Sequence, residues 1–235
     1  TLAASDAVAA LMAGNAVVLK PDSATPFTAL AVRSLLVRTG ADPGLLQVVT
    51  GAGAALGAPL IDAVNALMFT GSAAAGSAVA SRAGGRLIPV SAELGGKNPL
   101  IVRADAPLAR TVRGTVRACF SNAGQLCVSI ERVYVHEAVW DRFVPAFVRA
   151  TRALRVGAAM GWGADMGPLI SPEHLAKVAA HVSDAVAKGA TVLTGGRALP
   201  ELSPTAYAPT LLTGVTEDMD LHAAETFGPV ACLYR

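Results

Sequence analysis

Phe120-Ser121-Asn122-Ala123-Gly124-Gln125-Leu126-Cys127-Val128-Ser129-Ile130 is a short polar, glycine-containing segment between two apolar runs. Upstream, Leu108 to Cys119 has the spacing of a helix; downstream, Arg132-Val133-Tyr134-Val135-His136 alternates like a strand. Cys127 therefore stands at a helix-to-strand junction, where backbone on both sides can hold a thiol that still faces a cleft. Taken alone, a free cysteine is more often a small buried hydrophobe than a nucleophile. A second segment shifts that balance. Ala92-Glu93-Leu94-Gly95-Gly96-Lys97 ends a predicted strand with a carboxylate in a glycine-rich turn, and such a carboxylate can activate a thiol or a water.

Outward from this junction the chain alternates strand and helix. Ser5 to Ala13 reads as a helix capped by Ser5 and closed by Gly14. Ala16-Val17-Val18-Leu19 is an apolar strand ending at Lys20-Pro21, and Thr25 caps a helix that has Pro26 at its first position and Gly40 at its end. Leu45 to Val49, Ala66 to Phe69 and Leu87 to Val90 read as strands, with a helix over Ser72 to Arg82. This rhythm predicts an α/β fold with a parallel, Rossmann-like sheet. The glycines of Gly51-Ala52-Gly53-Ala54-Ala55-Leu56-Gly57 are spaced one residue too far apart for a dinucleotide fingerprint and read as a strand-to-helix turn.

After Lys97 a second series opens with Pro99 to Val102. Helices follow over Leu108 to Cys119, Val139 to Leu154 and Pro172 to Lys188, and strands over Thr191 to Leu193, Tyr207 to Leu212 and Val230 to Tyr234. Pro145 is expected to kink its helix or start it afresh. The boundary between the two series falls near Gly95-Gly96, giving domains over 1–95 and 96–235.

The chain has 235 residues, 53% hydrophobic and only 15% charged, which suits a sizeable core and not a disordered polymer. Its mean hydropathy of +0.49 is high, yet charged residues or glycine interrupt every apolar run before it reaches the length of a membrane span. The excess is assigned to abundant alanine and to apolar surface that further chain or a partner would cover. A net charge of +2 with interspersed signs gives no nucleic-acid footprint. Cys119, Cys127 and Cys232 are odd in number and lack metal-ligand spacing, so reduced thiols in the cytoplasm are expected, with no metal site. The four histidines are scattered; of them only His181 shares a predicted helix face with a carboxylate, Asp184.

Glu93-Leu94-Gly95-Gly96-Lys97 followed by Gly124-Gln125-Leu126-Cys127 resembles the signature pair of the NAD(P)-dependent aldehyde dehydrogenases, at the family's spacing. Asn15-Ala16-Val17-Val18-Leu19-Lys20-Pro21, Phe69-Thr70-Gly71-Ser72 and Glu225-Thr226-Phe227-Gly228-Pro229-Val230 match further family motifs in order, so the resemblance covers the whole chain. Within the family, Lys20-Pro21-Asp22-Ser23 and Cys119 to Gln125 are most similar to the NADP-type succinate-semialdehyde dehydrogenases.

The resemblance implies a partial cofactor domain over 1–95, most of a catalytic domain over 96–235, and an oxidoreductase acting on a small aldehyde with NADP or NAD. It implies that Cys127 attacks the carbonyl, that its backbone N–H supplies one oxyanion donor, and that Glu93 activates the water that hydrolyses the thioester. Lys20 would bond the adenosine ribose. Ser23 stands where NAD-preferring relatives often place a glutamate that would repel a 2′-phosphate. Gly71-Ser72 would open a helix toward the pyrophosphate; Ser72 would cap that helix in any case. Glu225 would grip the nicotinamide ribose and Phe227 would pack near the ring. The family often has two acidic residues before this turn, but Ala224 takes the first place here.

Two departures are notable. The family's oxyanion asparagine belongs to a segment before Thr1, and neither Asn15 nor Asn122 replaces it. Val128 and Ser129 follow Cys127 where many succinate-semialdehyde dehydrogenases carry another cysteine, so no local redox switch is expected. With no Met at position 1, the chain is expected to be an internal fragment or a processed product. Its full-length parent is expected to be a homo-oligomer that neither enters membranes nor binds nucleic acid. One alternative is a truncated, catalytically inactive nucleotide-binding or assembly module. Another is an acylating dehydrogenase or semialdehyde reductase, against which Glu93 argues, because those relatives need no deacylating base there.

Overall fold

The computed structural model describes the backbone of residues 2–235 and the side chains of residues 5–235. The chain divides into two compact units, 1–94 and 95–235. The first runs α1 (Leu2–Met12), β1 (Val17–Leu19), α2 (Pro26–Arg38), β2 (Leu46–Val48), α3 (Gly53–Ala63), β3 (Leu67–Thr70), α4 (Ala73–Gly85) and β4 (Val90–Glu93). β1 pairs with β2 and β3 with β4, both in parallel, with Val17 opposite Leu46 and Thr70 opposite Glu93. A parallel pair needs a crossover, and α2 and α4 supply the two crossovers.

Several local expectations are corrected. Ser5 lies inside α1 and does not precede it. Pro26 does open α2, but Thr25 makes no side-chain cap; Asp22 Oδ1 instead accepts from Ala24 N–H at 2.8 Å. β4 starts at Val90, not Leu87, because α4 continues to Gly85 and Leu87 turns the chain with a left-handed φ of 57°. The buried apolar side chains among the described residues of this unit are few and mostly small: Ala7, Ala29, Leu46, Ile61 and Ala83.

The second unit runs β5 (Asn98–Val102), α5 (Leu108–Phe120), a 3₁₀ turn (Ser121–Gly124), β6 (Ile130–Val135), α6 (Glu137–Arg152), α7 (Pro172–Ala187), β7 (Thr191–Thr194), β8 (Thr210–Thr213), α8 (Asp220–Ala223) and β9 (Val230–Tyr234). Its five-stranded sheet has the order β5-β6-β9-β8-β7, parallel except for the β7–β8 pair. Val230-Ala231-Cys232-Leu233 are all buried, as expected of a strand in the middle of a parallel sheet covered on both faces.

α5 packs on α6 through Phe120, Phe143 and Phe147, with ring centroids 5.5 and 6.4 Å apart. α6 runs through Pro145 as one helix and does not start afresh there. Proline there removes one backbone donor, but fully buried Phe143 and Phe147 anchor the helix on both sides of it. α7 follows its sequence signals closely. Ser171 Oγ accepts from His174 N–H at 3.1 Å, Pro172 opens the helix, and Gly189 with φ 105° lies just past its end.

Candidate active site

Cys127 lies in the turn between the 3₁₀ segment and β6 and is partly exposed. Its loop is fixed from several directions. Asn98 Nδ2 donates to Cys127 O at 2.6 Å and to Ser129 O at 2.9 Å. Ser129 is buried, and its hydroxyl donates to Cys119 O at 3.2 Å at the end of α5. Gln125 donates from Nε2 to Asn122 O at 3.1 Å and accepts at Oε1 from Ile170 N–H at 2.9 Å. Asn122, Ala123 and Gly124 take consecutive left-handed φ values of 52°, 55° and 70°. Two non-glycine residues in that region are uncommon and persist only where the surroundings over-determine them. At Gly124 a Cβ would fall 2.1 Å from Gly228 O, so only glycine lets these two backbones approach.

The three thiols differ in their surroundings. Cys119 and Cys232 are buried. Burial, with Cys232 and Glu131 nearby, drives the Cys119 pKa well above the usual thiol range. Burial likewise pushes Cys232 up to about 12. A thiol held protonated in an apolar core is a poor nucleophile.

The second element of this unit's site is the turn Glu225-Thr226-Phe227-Gly228-Pro229, which the 3₁₀ segment touches at Gly124 and Gly228. The half-buried Glu225 carboxylate accepts from Gly96 N–H at 3.1 Å, and a Cβ on Gly95 would fall 2.2 Å from Glu225 Oε2. Lys177 Nζ donates to Glu225 O at 2.8 Å, His174 Nε2 bonds Phe227 O at 2.6 Å, and His181 Nδ1 lies 3.2 Å from Thr226 Oγ1. Burial, then the neighbouring Lys177 and Lys97 charges, hold the His181 pKa below the ordinary histidine value. Buried Glu131 accepts from the Thr226 and Phe227 amides and pairs with Lys97. The stretch 96–98 thus ties the Cys127 loop to the Glu225 turn within one unit. None of the motifs quoted above included Glu131, Asn98 or the three α7 side chains.

In the first unit, Lys20 and Ser23 come together at the carboxyl ends of β1 and β2. Lys20 Nζ donates to Pro21 O at 2.5 Å and to Gly51 O at 3.4 Å, and exposed Ser23 donates to the same Gly51 carbonyl at 3.0 Å. Gly71, Ser72 and Glu93 gather at the carboxyl ends of β3 and β4. Gly71 N–H donates to Glu93 O at 3.1 Å, and Ser72 Oγ caps α4 by accepting from Ala75 N–H at 3.3 Å. The Glu93 side chain is exposed at the last position of β4.

Known proteins carry the same arrangement of elements. Over 234 residues the chain is 52% identical to a Mycobacterium tuberculosis protein named "Putative succinate-semialdehyde dehydrogenase (NADP+) 2", covering 100% of this chain and 45% of that protein. The crystal structure of succinate-semialdehyde dehydrogenase from Burkholderia pseudomallei superposes with a TM-score of 0.92 at 42% identity, covering 96% of this chain and 47% of that one. The crystal structure of an E. coli NADP dependent enzyme superposes with a TM-score of 0.93 at 41% identity, covering 97% and 48%. The chain spans about half the length of the relatives it matches. The model of the aldehyde dehydrogenase family matches residues 1–235 throughout, and the chain belongs to that family.

Proposed function

We propose that the full protein oxidises an aldehyde, succinate semialdehyde, to the carboxylate with NADP+ or NAD+, using Cys127 as nucleophile. The observation that carries this reading is the contrast among the three cysteines: Cys127 alone is partly exposed, on a loop locked by Asn98, Ser129 and Gln125. A rigid loop suits a nucleophile, because small displacements of a reacting atom lose much of the rate. In this reading 1–95 is the cofactor-binding part and 96–235 the thiol-bearing part.

The residues present fit a 2′-phosphorylated dinucleotide. The Lys20 ammonium and Ser23 hydroxyl meet at Gly51 O, and the carboxylate of Asp22 beside them is turned onto Ala24 N–H. Carboxyl ends of parallel strands are where open α/β sheets take ligands. The amino end of α4, opened by Gly71-Ser72, offers backbone N–H groups to a pyrophosphate. When bound, the nicotinamide supplies the hydride acceptor. Cys127 Sγ would bond to the aldehyde carbon, its thiol proton passing to water and the carbonyl electrons to an oxyanion for which its backbone N–H would be a donor; return of those electrons would expel the carbon's hydride to the acceptor and leave a thioester on sulfur. Glu93 then takes a proton from water, whose oxygen displaces the thiolate and releases the acid. Glu225 and Phe227 would hold the nicotinamide end.

Assaying NADPH formation with succinate semialdehyde in the full protein, before and after limiting alkylation, tests this reading. Activity is expected to fall in step with modification mapped to Cys127. Labelling of Cys119 or Cys232 in its place, or activity retained after Cys127 is blocked, would refute the assignment.

A further inference from the structure

Glu131 lies outside every motif that carries the family resemblance, yet its carboxylate fixes the turn that carries Glu225 and Phe227. The side chain is only 4% exposed. Thr226 N–H lies 3.1 and 3.0 Å from its two oxygens, and Phe227 N–H lies 2.9 Å from Oε1. The Lys97 ammonium, 8% exposed, pairs with Oε2 and lies 3.5 Å from Thr226 Oγ1. Lys97 is itself anchored, because Arg132 Nε donates to its carbonyl at 2.8 Å.

The β5–β6 ladder explains how a strand residue reaches this turn. Asn98 faces Ile130 and Pro99 faces Arg132, so the register slips by one and Glu131 is left without a partner on β5. Bulges of this kind re-aim a side chain, and Pro99, which has no N–H, stands where the ladder gives way. The turn needs such an anchor. Phe227 holds a left-handed φ of 57°, rare for a non-glycine residue. Its carbonyl and that of Glu225 are held from α7 by His174 and Lys177, while Glu131 holds the amides of Thr226 and Phe227.

We propose that Glu131 is a positioning residue for cofactor binding. Paired with Lys97, it fixes the 225–227 backbone so that Glu225 and Phe227 are presented to the nicotinamide end. This rests on the reading above that those two residues take that end. A buried ion pair adds little net stability by itself, because desolvation offsets the attraction; its use here is registration of two backbone amides. If the pair served stability alone, every ligand would be affected alike.

The deciding variant in the full protein is Glu131→Asp, which keeps the charge but withdraws it by one methylene from the two amides. Binding of NADP+ and of adenosine 2′,5′-bisphosphate, which lacks the nicotinamide ribose, is measured by titration calorimetry. NADP+ affinity is expected to fall at least about tenfold while the bisphosphate stays within about twofold. Glu131→Gln is expected to move NADP+ in the same direction and further. Equal losses for both ligands in Glu131→Asp, or unchanged NADP+ binding, would overturn the proposal. A wild-type protein that binds the bisphosphate and NADP+ not at all would overturn the cofactor reading itself, and this proposal with it.

Discussion

In residues 1–94 the side chains assigned to the cofactor are lightly held. Lys20 and Ser23 share one carbonyl, and Ser23 is exposed; Glu93, assigned to the hydrolytic water, is exposed as well. In residues 95–235 the corresponding groups sit in a dense bonding network, where Glu131 alone engages two backbone amides and a lysine. The cores differ in the same sense. The first unit buries mostly alanine and leaves Phe27, Leu35, Met68 and Leu87 exposed, whereas the second buries Phe143, Phe147, Leu211, Leu212, Leu221 and Leu233 almost completely. Each such large side chain contributes about 1.5–3 kcal/mol when fully buried. Strand ends that present backbone and a few side chains to an extended ligand need little local rigidity. A thiol that must meet a carbonyl carbon within a fraction of an ångström needs a great deal.

The largest expected effect on this contrast comes from the cores. Leu212→Ala, at a position with no exposure, is expected to lower unfolding free energy by about 2–5 kcal/mol. Leu35→Ala, 61% exposed in the first unit, is expected to change it by less than about 0.5 kcal/mol. Chemical denaturation of the two variants beside the parent checks the pair, and similar losses would erase the distinction.

A glycine pair sharpens it. Gly124→Ala drives a Cβ into Gly228 O at a φ of 70° and is expected to destabilise by about 1–3 kcal/mol, with loss of Cys127 reactivity. Gly53→Ala, at the start of α3 with nothing within 4 Å, is expected to stabilise by about 0.4–1 kcal/mol. Thermal melts read both signs.

The smallest effect is a change of preference. Ser23→Glu places a carboxylate beside the Gly51 carbonyl that Lys20 and Ser23 share, and is expected to lower the NADP+ to NAD+ ratio of kcat/KM by about tenfold. An unchanged ratio would remove Ser23 from the cofactor site.

Much of this was legible where local chemistry dominates. Ser171-Pro172 and Gly189 bracket α7 because a cap, a preset φ and a left-handed exit are properties of single residues. The Cys127 junction was equally readable. Leu87 misled because an apolar run reads as a strand, and only its left-handed backbone excludes it. Pro145 does not restart its helix because the proline rule is local, while the packing of Phe143 and Phe147 that holds the helix together is tertiary. Glu131 was missed although a signal existed: it shares the alternation of Val133 and Val135, the buried face of β6. The partners that make a buried carboxylate tolerable, Lys97 and the amides of Thr226 and Phe227, are distant in sequence and were invisible to periodicity.

In the proposed reaction Cys127 forms the acyl bond and Glu93 serves afterwards, on water. Rapid mixing of the Glu93→Gln full protein with aldehyde and NADP+ tests it most directly. A burst of NADPH of about one equivalent per Cys127 is expected, followed by steady-state turnover reduced by at least about 10²-fold, while Cys127→Ala gives neither. A Glu93→Gln protein that lost the burst together with turnover would contradict it, placing Glu93 before the thioester and on the thiol.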